Sequence, residues 1–105
     1  TNLTTLDLSS NSLDVLPESI AQLKNLRRLY LRRNNLEEIP SSFRHLERLE
    51  VLDLRNNKLG SFPDPIKDMK NLKIVYLGGN QDLQPLKSTK EIVEILDKRG
   101  CRLSH

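Results

Sequence analysis

The chain has 105 residues, 17 Lys and Arg against 14 Asp and Glu, a net charge of +3 and a single cysteine. That length sets one domain with one modest core, and the charge is too mild for a dedicated nucleic-acid binder. No apolar run is long enough to cross a bilayer, and a lone cysteine excludes a disulfide framework, which favours an intracellular setting.

Reading from the N-terminus, one step of 23 residues organises the chain: Leu3, Leu26, Leu49 and Leu72 keep it, as do Asn11, Asn34, Asn57 and Asn80. Pro17, Pro40 and Pro63 follow the same step, with Ile20, Phe43 and Ile66 three residues after each. Several residue types keeping one period mark an internal repeat with units at 3–25, 26–48, 49–71 and an incomplete 72–86. The chain opens at Thr1, only two residues before the first full unit, so the expectation is that the array continues upstream or that its first coil is covered by a partner or a second copy.

Within each unit the first element is a short strand. Leu3 to Leu8, Leu26 to Leu31, Leu49 to Leu54 and Leu72 to Leu77 alternate apolar and polar residues at their fourth to sixth positions, a period-2 pattern with the apolar side chains inward. An asparagine follows three residues later. Its amide both donates and accepts, so a buried column at Asn11, Asn34, Asn57 and Asn80 satisfies backbone groups at each bend and is a scaffold feature. Proline then opens the return at 17, 40 and 63 by fixing a helix-compatible φ, and the apolar residues three and six places later face one way on a short α- or 3₁₀-helix. Stacked units therefore make a parallel sheet on one side and helical turns on the other.

After Asn80 the pattern changes: Leu83 comes one residue late and Leu86 stands where proline is due. Ser88-Thr89-Lys90-Glu91 fits a capping box, Ile92, Val93, Ile95 and Leu96 follow at helical spacing, and Gly100 is a natural stop. Residues 88–99 are expected as an amphipathic helix over the open end of the last coil, with Cys101 and Leu103 packed near it; the segment 87–105 is cap and tail.

The order L-x-x-L-x-L-x-x-N-x-L, with L-P-x-x-I-x-x-L on the return, resembles the leucine-rich-repeat (LRR) proteins of the 23-residue intracellular type over about residues 3–80. Ras-pathway scaffold, plant intracellular Ras-group and many bacterial LRR proteins share it. The resemblance implies an α/β right-handed solenoid with a concave parallel sheet, convex helical turns and a capping helix. It implies a binding module, with no catalytic residues, metal or cofactor. Consistent with that, no phosphate loop, nucleophile–base pair or metal-ligand cluster is visible in the chain.

On a solenoid the inward residues hold the coil, so recognition falls to the third, fifth, seventh and eighth sites of each strand segment. There stand Arg28, Val51 and Ile74; Tyr30, Asp53 and Tyr76; and Arg32, Arg33 and Arg55. Both tyrosines of the chain occupy the fifth site, and Tyr and Arg combine contact area with hydrogen bonding at low entropic cost. Val51 and Ile74 are apolar at sites expected to be exposed. These nine residues are the expected contact surface for a protein partner of acidic or mixed charge. The alternatives are a phosphate-rich ligand, nucleic acid or an anionic membrane, held by the arginines; a recognition segment of a larger enzyme or effector; and self-association through the first coil. Four strands at ~4.8 Å spacing offer only ~300–400 Å² of sheet against ~800 Å² for a standard interface, so the expectation is that a partner also touches the loops after the asparagines or that the natural protein has more repeats.

Overall fold

In the computed structural model, residues 3–60, 63–80, 83 and 94–104 are described. Strands β1 (Thr5–Asp7), β2 (Arg28–Tyr30), β3 (Val51–Asp53), β4 (Ile74–Tyr76) and β5 (Arg102–Ser104) form one parallel sheet in chain order. The 23-residue step becomes the sheet register directly, Leu6 facing Leu29, Leu29 facing Leu52 and Leu52 facing Val75. Each incoming strand is fastened by one shared acceptor: the N–H groups of Arg27 and Arg28 both donate to the Thr4 carbonyl, at 2.7 and 3.0 Å. Glu50 and Val51 do the same to Arg27, at 2.8 and 3.0 Å.

Between strands the chain returns through 3₁₀ turns at Glu18–Gln22, Ser41–His45 and Asp64–Asp68. The sequence left α and 3₁₀ open; the 3₁₀ form follows from a five-residue stretch that must turn the chain within one coil. Each proline sits one residue earlier than the first helical position, as an N-cap with extended backbone (Pro17 φ −64, ψ 137). Having no N–H, it contributes only its carbonyl, which accepts from Ile20, Phe43 or Ile66 at 3.0–3.2 Å. Those three residues point inward, and Phe43 and Ile66 are wholly buried.

The core includes three leucine columns and this convex row: Leu26, Leu49 and Leu72; Leu29, Leu52 and Val75; Leu31, Leu54 and Leu77, all buried, with Leu36, Leu59, Leu46 and Met69 filling the space between sheet and turns. At roughly 1.5–3 kcal/mol per fully buried aliphatic side chain, these columns supply the main stabilisation of the stack.

The C-terminal end differs from expectation. Residues 94–98 are α-helical, and the expected start of that helix near Ser88 lies outside the described residues. Gly100, at φ 79, ends the helix as anticipated: its N–H donates to Asp97 and that of Cys101 to Leu96, at 3.0 and 2.9 Å. This is a Schellman stop, and Leu96 and Cys101 provide its accompanying apolar contact, both buried. The chain beyond is a strand rather than a tail. β5 pairs with β4, Ile74 facing Arg102 and Val75 facing Leu103, so the helix lies on the return path of a longer coil of 28 residues. Three residues without the leucine signature gave no sequence cue for it; pairing with β4 decides it.

Candidate partner-binding face

The asparagine column sets the bend that carries the candidate face. Asn57 Nδ2 donates to its own coil at Leu54 (3.0 Å) and to the preceding coil at Leu31 (2.9 Å), while Oδ1 accepts the Leu36 N–H at 3.1 Å. Asn34 and Asn80 repeat the scheme, and all three are buried. Asn11 does not follow fully. Its Nδ2 reaches only Leu8 and Ser9 of its own coil, at 2.8 and 3.3 Å, and the residue is exposed. Burial of an asparagine requires a coil in front, and among the described residues Asn11 has none.

Just before the asparagine, the eighth site of every unit adopts left-handed backbone: Ser10 (φ 61), Arg33 (φ 57), Asn56 (φ 59) and Gly79 (φ 78). Glycine and asparagine suit that region; arginine does so at a cost of roughly 1 kcal/mol. Gly79 is doubly required, since a Cβ there would lie 2.0 Å from Asn56 Oδ1. Glycine and asparagine at one repeat position were the available sequence signal for this turn, and it was not read.

The fifth and seventh sites form a network that runs across three coils. Asp53 is 0% exposed, and Arg55 clamps it twice, Nε to Oδ1 at 2.9 Å and Nη2 to Oδ2 at 2.7 Å. From the preceding coil, Arg32 reaches the same carboxylate at 3.4 Å. Arg55 in turn lies over the Tyr76 ring, 4.6 Å from its centre, a cation–π contact into the following coil. The hydrogen bonds from Arg55 to Asp53 push the arginine still further above its ordinary pKa. The network leaves one unit of positive charge, from two arginines and one carboxylate.

Several sequence expectations change with this geometry. Asp53 is buried beneath its two arginines, because Arg55 folds back on it from two residues further along the chain and parallel stacking adds Arg32 of the preceding coil. Arg55 is already engaged on both sides. Val51 and Ile74 are half-buried rather than exposed, since neighbouring strands cover their flanks. Tyr30 and Tyr76 are also half-buried, and Arg28, Arg32 and Arg33 are exposed. All nine residues lie on the sheet or in the bend directly after it, and the exposed cations gather in the second coil.

A second polar surface lies on the strand-entry flank. Glu50 meets Arg27 of the preceding coil at 3.7 Å and Lys73 of the following coil at 3.3 Å, beside a shallow cleft of about 310 Å³ lined also by Arg48 and Asn71. The alternating signs of Arg27, Glu50 and Lys73 at one repeat position foreshadow it, although the sequence reading passed over that position. Arg27 and Lys73 are exposed and share one half-buried carboxylate, so each pair contributes little. Among the described residues no group of acidic, His or Cys side chains could hold a metal ion, and no helix is long and apolar enough to cross a membrane.

With this architecture in place, comparisons with known proteins are decisive for the family. A leucine rich repeat family model matches residues 1–59, and a second model, for two copies of leucine rich repeats, matches residues 47–88. The chain belongs to the leucine-rich-repeat family. An LRR protein of Leptospira interrogans superposes with a TM-score of 0.85 at 36% identity, over 98% of this LRR chain. The chain spans about a quarter of the length of that Leptospira protein. No curated protein sequence matches. The LRR fold supports a general role in protein interaction.

Proposed function

We propose that this LRR chain binds a partner protein bearing acidic side chains, through the second-coil cations Arg28, Arg32 and Arg33, with Tyr30 and the Arg55–Tyr76 stack beside them. Arg33 carries the reading. It is exposed in a left-handed turn at φ 57, where the first, third and fourth coils place serine, asparagine and glycine. An arginine held in a conformation it disfavours, with its guanidinium directed to solvent, is the kind of residue retained for recognition rather than for folding. The buried Asp53 supports the same reading: it anchors Arg32 and Arg55 and so lowers the entropy lost when a partner engages them. Val51, Ile74 and Tyr76 supply half-buried apolar area at the centre of the face, which desolvates such contacts. A cytoplasmic setting suits the lone, buried Cys101.

The test is affinity capture with the wild-type chain and with Arg28→Glu/Arg33→Glu, which leaves the Asp53 clamp intact. Acidic proteins retained by the first and lost by the second, with equal circular dichroism, support the reading. Identical capture by both folded chains would overturn it. Nucleic acid or lipid in place of protein among the lost species would replace the partner class.

A further inference from the structure

The strand-entry flank gathers charge out of proportion to its size. Its three rows keep the 23-residue step: Lys24, Glu47 and Lys70; Asn25, Arg48 and Asn71; Arg27, Glu50 and Lys73. Five bases stand there against two acids, an excess equal to the net charge of +3 of the whole chain. The flank runs over the second, third and fourth coils. β1 precedes them and β5 follows, so each of these coils has a neighbour on both sides.

Backbone pairing fixes the row nearest the sheet. The N–H of Glu50 donates to the Arg27 carbonyl and that of Lys73 to the Glu50 carbonyl, both at 2.8 Å, so the row advances by one strand spacing of ~4.8 Å per coil. Leu26, Leu49 and Leu72 turn into the core between this row and the one before it. Arg48 and Asn71 stay outside and line one cleft with Arg27, Glu50 and Lys73. Arg48 is steadied there by a 2.8 Å bond from Nη1 to Asn25 Oδ1, and Asn71 commits its Nδ2 to the Glu47 carbonyl.

Two cations facing one carboxylate also occur at Asp53, with a different result. There Arg55 closes on a buried carboxylate at 2.7 Å. Glu50 lies 3.7 Å from Arg27 and 3.3 Å from Lys73, beyond the ~2.7–2.9 Å of a close charge-assisted hydrogen bond, and both cations are largely exposed. Their donors are only loosely held. With Arg48 added, the lining of the cleft carries +2, from three cations and one carboxylate.

We propose that this cleft receives a phosphate monoester, displayed on a phosphorylated side chain of the partner protein. Such a group carries about −2 at neutral pH and so matches the lining. Arg27 and Arg48 offer paired N–H donors to its oxygens, and Lys73 adds a point charge. A carboxylate would meet half of that charge and duplicate Glu50. The cleft is shallow, so a small free phosphate compound would stay mostly solvated in it. A phosphate carried on a protein instead continues onto adjoining surface, where Arg27 leads directly into Arg28 of the concave face. The contact thereby extends binding past the small area of the sheet. The source of the phosphate rests on the partner reading above; the phosphate site itself does not.

NMR titration at constant ionic strength tests both parts. Inorganic phosphate, exchanged for chloride, shifts the Nε–Hε signals of Arg27 and Arg48 saturably, in the millimolar range. Arg48→Gln and Lys73→Gln each weaken that binding about tenfold, and Glu50→Gln, which removes the internal competitor, tightens it about threefold. An alanine pentapeptide with a central phosphoserine moves the same signals, and its serine counterpart does not. Circular dichroism establishes that the variants fold. The phosphate site is overturned by a folded wild-type chain with no saturable shift, by shifts centred on Arg28, Arg32 and Arg33, or by weaker binding in Glu50→Gln. The protein source is overturned if inorganic phosphate binds and the phosphopeptide does not. Flotation with phosphatidylcholine vesicles containing phosphatidic acid, abolished by Lys73→Gln, would likewise assign the phosphate to a membrane. The titration needs no partner, so its failure and the failure of capture through Arg28 and Arg33 are told apart.

Discussion

The first and third coils carry the same residue types at the same repeat positions and use them differently. Asp7 and Asp53 both occupy the fifth strand site. Asp7 is exposed, and hydrogen bonding from Ser9, whose N–H lies 2.9 Å from Oδ1, holds its carboxyl below the ordinary value. Asp53 is wholly buried under two guanidinium groups. Asn11 is exposed and Asn57 buried; Pro17 is exposed and Pro63 buried. Repeat position determines the backbone of a residue, whereas its neighbours in adjoining coils determine its environment. Energetic weight in a solenoid therefore rises toward the middle, as nearest-neighbour stacking requires.

The largest effect is expected in the asparagine column. Asn57→Ala leaves the Leu36 N–H unsatisfied in the interior and removes one of the two asparagine donors from the Leu31 and Leu54 carbonyls; it should cost about 3 kcal/mol in denaturant unfolding, against less than about 1 kcal/mol for Asn11→Ala. Equal costs would show that the column acts within each coil and not between coils.

Next comes the carboxylate pair. Removing Asp53 strands two arginines against each other, and Asp53→Ala should cost about 2 kcal/mol, discounted from a fully buried pair because both arginines are partly solvated. Asp7→Ala should leave the unfolding midpoint where it is. A shift at Asp7 comparable to that at Asp53 would mean that the first coil is covered in solution.

The two glycines with left-handed backbone sharpen the comparison between a crowded and an open turn. Gly79→Ala should destabilise by about 1.5 kcal/mol, because its Cβ collides with the Asn56 side chain as well as straining φ; Gly100→Ala, with nothing within 4 Å, should cost about 1 kcal/mol. Chemical denaturation reads both, and a reversed order would remove Asn56 as the obstacle. The smallest effect has the opposite sign. Arg33→Asn places a residue that tolerates the left-handed region and should stabilise by about 0.5 kcal/mol while weakening partner capture. Weaker capture without a gain in stability would locate the role of Arg33 in binding alone.

The strands and their register, the convex helical turns (though not their 3₁₀ form) and the scaffold asparagines were legible in the sequence because each coil repeats the same local problem. Leucines at one spacing must face inward, a bend must satisfy its own carbonyls, and proline must precede a turn. The strand at Arg102–Ser104 was illegible for the converse reason: it carries no repeat signature, and only the edge of β4 makes it a strand. The candidate face divides the same way. That Arg28, Tyr30, Arg32 and Tyr76 would share a surface followed from the 23-residue step. Which of them remain free to meet a partner did not. Burial of Asp53, its second ion pair with Arg32, the stacking of Arg55 on Tyr76, and shielding of Val51 and Ile74 arise between coils that are 23 residues apart in the chain and one strand apart in space. Local chemistry repeats along a sequence and is read there; desolvation and ion pairing depend on what lies alongside, and that is settled only when the coils stack.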